Sequence, residues 1–188
     1  MKERKIMPFD KNFVPALRFA VMSDIHIDDE DCIEEQRFAK ALDDLKNLCS
    51  SDERYSGFDA LVIVGDFASR GSEIQMRKVK KILDAGLPAD VRLIMTMASH
   101  EYMTDGEENA LRRFDEIFGL TPDTHAVING FDFIAVTTAA TSTTKSAGSS
   151  PQSLKKRQSG TVKSRYSSSS IRISQTPSTA ASTGARTR

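Results

Sequence analysis

Three short apolar runs, at residues 17–22, 59–64 and 91–96, each pass directly into a polar cluster, and helix-patterned stretches separate them. The runs are of strand length and rich in Val, Ile, Leu and Met, with no polar alternation, the pattern of a strand covered on both faces. Between the first and second, Phe38, Leu42, Leu45 and Leu48 recur at helical spacing over 33–48. Between the second and third, Ser72 is placed to cap a helix over 72–85, with Ile74, Val79, Ile82 and Leu83 turned inward before Gly86 and Pro88. A third helix is expected at 107–118, ended by Gly119, and a late strand at 131–136 after Asn129-Gly130. Strand and helix alternating three times, with connections long enough for crossovers, require a parallel sheet flanked by helices. The expected fold class is α/β.

Ligands of such sheets bind beyond the carboxyl ends of the strands, so chemistry is to be sought where the runs stop. The three ends read Ser23-Asp24-Ile25-His26, Gly65-Asp66 and Ser99-His100-Glu101. Each alone is compatible with a turn or a helix cap. Together they set carboxylates and imidazoles at three converging loops. Asp-x-His on an extended segment would turn both side chains to one side. A hard oxygen beside a neutral nitrogen suits manganese, iron or zinc better than calcium.

The charge distribution divides the chain. All 26 Asp+Glu and 17 of the 26 Lys+Arg fall before residue 139; the last 50 residues hold nine Lys+Arg, no acid and 22 Ser+Thr. Their four larger aliphatics, Leu154, Val162, Ile171 and Ile173, are too few to offset about 1 to 2 kcal/mol per residue of backbone ordering. The expected organisation is an N-terminal extension at 1–16, a folded domain at 17–138 and a disordered tail at 139–188. No apolar run reaches the roughly 18 to 20 residues of a membrane span, and no hydrophobic leader follows the charged N-terminus. Cys32 and Cys49 are too few for a disulfide framework. A cytoplasmic location is the expectation.

The order and strand context of Asp24-Ile25-His26, Gly65-Asp66 and Ala98-Ser99-His100-Glu101 resemble the calcineurin-like metallophosphoesterases, which carry Asp-x-His, Gly-Asp and Gly-Asn-His-Asp/Glu at successive strand ends. The resemblance covers roughly 17–136. It implies two sheets packed face to face with helices outside, the second sheet coming from later in the chain. It also implies a two-metal phosphoric ester hydrolase in which an activated water attacks a phosphomonoester or phosphodiester. Asp24 and His26 would bind the first metal, and Asp66 would bridge both. His100 would lie by the leaving-group or phosphoryl oxygen, positioned by Glu101.

Two departures bear on activity. Ser99 stands where the family has an Asn ligand, and its hydroxyl is a shorter and poorer donor. The family's later His ligands have no counterpart among His26, His100 and His125, and His125 reads as a loop residue. A dinuclear centre is therefore expected to be incomplete. One explanation is that the tail replaces the second half through a shifted reading frame; the other is a low-complexity tail on a shortened domain. Rival functions are an inactive fragment of such an enzyme, and a binding protein whose basic tail, through Lys155, Lys156, Arg157 and Arg165, contacts nucleic acid weakly and in a salt-dependent way. With one sheet face left bare, self-association is expected.

Dinucleotide, P-loop and serine-hydrolase motifs are absent from the sequence. The basic run Arg77, Lys78, Lys80 and Lys81 reads as a solvated helix face, and Met95, Met97 and Met103 as packing.

Overall fold

The computed structural model describes residues 12–53, 55–137 and 170–175. Strands β1 (Phe19–Met22), β2 (Ala60–Val64) and β3 (Arg92–Thr96) form one sheet in that order, parallel throughout. Helices α1 (Ile33–Ser50) and α2 (Glu73–Gly86) make the two crossovers, and α3 (Glu107–Phe118) follows a 3₁₀ turn at Ser99–Tyr102. A second sheet is antiparallel, in the order β4 (Thr124–Ile128), β5 (Phe131–Val136), β6 (Ser170–Gln175). The α/β class stands, with the helices on one face of the parallel sheet and part of its other face against the second sheet.

Helix faces follow from their spacing. On α1, Phe38, Leu42 and Cys49 are buried against the sheet while Leu48 is exposed. Ten residues of a 3.6-residue helix leave Leu48 about 80° around from Phe38, outside the buried stripe. On α2 the stripe is Met76, Val79 and Leu83, at spacings of three and four, so Ile74 stays exposed in the first turn. Ser72 caps this helix as expected, in a reciprocal box with Gln75. Phe114 and Phe118 of α3 stack around Phe67, closing the main core.

The second sheet corrects three expectations. It begins within the described residues before Thr138, where β4 and β5 bury Phe133 and Ala135 against Val62 and Ile94 and so cover the far face of β2 and β3. His125 lies on β4, not in a loop, and pairs across to Asp132 at 2.7 Å. Residues 170–175, expected to stay without regular structure, form β6 on the edge of β5. The alternation Ile171-Arg172-Ile173 is strand-like, Ile173 packs on the second core and Arg172 faces out. An open edge of β5 supplies the backbone partners that isolated tail residues lack. The rest of the tail, including Lys155, Lys156, Arg157 and Arg165, lies outside the described residues.

The two sheets are clamped at the end remote from the ligands. Asp59 accepts from the Arg18 backbone at 2.7 Å and from Asn129 Nδ2 at 2.8 Å, and Tyr55 donates to the same carboxylate. Asn129 can reach because it turns the β4–β5 hairpin at a φ of 51°, a left-handed conformation that Asn tolerates better than most residues. Coverage fails at β1, where Phe19 is 37% and Val21 56% exposed.

Candidate metal centre

The ends of β1 and β2 remain paired beyond the strands. His26 N donates to Asp66 O at 3.1 Å and Ile27 N to Phe67 O at 3.0 Å, and Ser69 N returns to Ile27 O at 2.9 Å. Within this zipped pair of loops Asp24, His26 and Asp66 all have left-handed φ values of 54°, 54° and 50°. Backbone strain of this kind, about 1 to 3 kcal/mol per residue, persists only where surrounding contacts enforce it, and it gathers at functional sites. It also changes the reason why Asp24 and His26 meet. Their backbone is not extended; two left-handed residues flank Ile25 and bring Asp24 Oδ1 to 3.8 Å from His26 Nε2.

His26, Asp66 and His100 offer ligand atoms that all lie within 4.8 Å of one another, each side chain being half-buried. The imidazoles of His26 and His100 meet edge to face at 4.6 Å between centroids. His100 has its tautomer set by geometry. Its Nδ1 is 2.7 Å from the Ser69 carbonyl, which can only accept, so Nδ1 carries the proton and the Nε2 lone pair is open. Its backbone N–H donates to Asp66 Oδ1 at 3.1 Å, fixing the carboxylate's other side. Asp24 sits at the rim, its side chain 67% exposed. Ser99 is exposed at the first residue of the 3₁₀ turn.

Glu101 differs from the role implied by resemblance. It does not orient His100; the Ser69 carbonyl does. Glu101 is fully buried and its carboxylate accepts from Asp66 N at 2.9 Å, Ala68 N at 3.1 Å and Ala98 N at 2.8 Å. It therefore ties the loop after β2 to the loop after β3. Burial pushes its carboxyl up to about 7, helped by the Asp66 charge and opposed by the three N–H donors.

Two glycines allow the loops to come this close. A Cβ on Gly65 would stand 2.4 Å from Ala98 Cβ, and one on Gly71 would stand 2.0 Å from the Glu101 carbonyl oxygen. The Gly71 carbonyl in turn accepts from Arg113 Nη1 at 3.1 Å, and Arg113 is anchored to Asp105. Sequence reasoning missed Ser69, Gly71 and Arg113. Arg113 left a signal, since it lies in the apolar stripe of Ala110, Phe114 and Ile117, where an unpaired charge is not stable. Ser69 left little, because the group that orients His100 is its carbonyl, which every residue has, and its hydroxyl donates to another carbonyl, that of His26, at 2.9 Å.

The donor set fits a transition metal: two imidazole nitrogens and a carboxylate, converging and partly shielded from water. His26, Asp66 and His100, with Asp24 at the rim, would hold one.

The calcineurin-like phosphoesterase family model matches residues 17–172. The chain belongs to that family, and the match runs through the parallel sheet and all three ligand loops into β6. No curated protein matches it. Among the described residues no helix is long and apolar enough to cross a membrane.

Proposed function

We propose that the chain is a metal-dependent phosphoric ester hydrolase, working on a phosphomonoester or phosphodiester with one tightly held manganese, iron or zinc ion. The observation that carries this reading is the convergence of His26, Asp66 and His100 donor atoms at the three parallel strand ends. When bound, the metal supplies Lewis acidity toward a phosphoryl oxygen and makes nearby water more acidic. Asp66, held by the His100 and Glu101 contacts, presents its carboxylate without reorganisation. His100 has Nδ1 saturated by Ser69, so Nε2 is the one nitrogen able to bind the metal or to exchange a proton with a leaving oxygen. Asp24, exposed beside His26, adds negative charge to the rim.

A second reading is a protein that holds the metal without turnover. The exposed hydroxyl of Ser99, where the resemblance implies an amide ligand, favours it by weakening a second cation's site. Hydrolysis of 4-nitrophenyl phosphate and bis(4-nitrophenyl) phosphate with added manganese separates the two. Slow, metal-dependent release that Asp66→Asn abolishes is the expected result. Metal binding with no release at all favours the second reading. A kcat near about 10 per second would mean that two metals are in place after all, and release indifferent to metal would overturn both readings.

A further inference from the structure

Asp24 and His26 form one end of a groove of about 770 Å³ that continues between the end of β1 and the first turns of α1. Its accessible apolar wall is Met22, Ile25 and Ala41, over the buried Phe38, and its charged lining beyond the ligands is Asp28, Glu34 and Arg37. Among the described residues Arg37 is the one guanidinium there, and its Nη1 is 3.6 Å from Glu34 Oε1. Asp28 Oδ1 is held by the Asp29 backbone and by Gln75 Nε2, which keeps an acid fixed at the mouth. The first turn of α1 carries Glu34 and Glu35, which offset the positive end of the helix. A groove beside a phosphate-binding centre would favour an anionic leaving group if it presented unpaired cations. This one presents apolar wall and net negative charge.

Resting on the metal-phosphate reading above, we infer that this groove seats the leaving group of the ester, and that it selects an apolar group without further negative charge over one bearing a carboxylate or a second phosphate. Met22 and Ile25 contact the apolar body along the β1 side, and Ala41 along the α1 side. Glu34 and Asp28 repel an anionic substituent, and Arg37, an exposed partner of Glu34, offsets one of these two charges.

The test is calorimetric binding to the full chain loaded with zinc, using three non-hydrolysable probes: methylphosphonate, phenylphosphonate and 4-carboxyphenylphosphonate. Phenylphosphonate should bind about tenfold more tightly than methylphosphonate, and adding the carboxylate should cost about fivefold, a loss that shrinks with salt. Combining Asp28→Asn with Glu34→Gln should bring the two aryl probes to near-equal affinity. Equal binding of methyl- and phenylphosphonate, or tighter binding of the carboxylated probe, overturns the groove assignment and leaves the metal centre standing. Failure of even methylphosphonate to bind the zinc-loaded chain overturns the metal-phosphate reading, and this inference with it.

Discussion

In the parallel sheet, β2 and β3, which the second sheet covers, are built differently from β1, which it leaves open. β2 and β3 are sandwiched, with Leu61 and Ile63 in the helix-side core and Val62 and Ile94 under β5, each no more than 2% exposed. β1 and β3 each have one neighbour in the sheet, but at β1 Phe19 and Val21 reach water on the side where β2 and β3 meet the second sheet. The ligands inherit this division. Asp66 and His100 hang from the sandwiched strands and are joined through Glu101, whereas Asp24 and His26 hang from the edge. The lesson is that one half of the centre is rigid before any metal arrives, while the other depends on its zipper to the Gly65–Ser69 loop.

The largest effect expected from this division is at Glu101. Glu101→Ala strands the N–H groups of Asp66, Ala68 and Ala98 in a buried place, at about 1 to 3 kcal/mol each. A loss of at least about 3 kcal/mol in denaturant unfolding is predicted, a sizeable part of the roughly 5 to 15 kcal/mol of an ordinary domain. A loss below about 1 kcal/mol would mean that water replaces the carboxylate and that the loops are not locked by it.

Next in size is the contrast between sheet faces. Ile94→Ala should cost about 2 kcal/mol or more, as buried truncations do, against less than about 0.5 kcal/mol for Val21→Ala at the exposed edge. Equal costs would erase the distinction between covered and open strands.

A smaller effect is the pH dependence of stability. The Glu101 carboxyl sits at about 7 in the fold against its ordinary value of 4.5, so the folded state holds a proton that the unfolded chain has released. Stability should therefore be fully present below about pH 4.5, decline as pH rises to about 7, and level off above. The difference between the native chain and Glu101→Gln, followed by metal-free unfolding across that window, isolates this contribution. A native-over-Gln advantage that grew with rising pH instead would show that the three N–H bonds outweigh burial.

The smallest structural effect belongs to the bare edge. Val21→Lys should leave unfolding almost unchanged and reduce light scattering at high concentration, since charge on an open edge strand opposes edge pairing. Scattering indifferent to the substitution would place any self-association elsewhere on the molecule.

Much of this division was legible in particular residues. The apolar runs ending at Asp24, Asp66 and His100 carried the parallel sheet and the place of the site; for β2 and β3 burial on both faces leaves that pattern, whereas the β1 run reads the same although one of its faces is open. The second sheet was less legible. Its strands alternate, Thr124-His-Ala-Val-Ile128 holds only two large aliphatics, and Ile171 and Ile173 sit in a segment whose average composition argues against any structure. β6 exists because β5 offers an open edge, a tertiary circumstance that no local pattern records. The role of Glu101 was misread for a similar reason: its partners are backbone amides brought close by Gly65 and Gly71, and amides leave no trace in sequence.

The most direct test of the account is the metal content and affinity of the full chain, measured by elemental analysis after dialysis and by zinc titration. About one tightly held ion per chain is predicted, with Asp66→Asn removing most of the binding and Asp24→Asn, at the exposed rim, removing distinctly less. Two stoichiometric metals, or equal losses for the two substitutions, would contradict a centre built on the sandwiched strands.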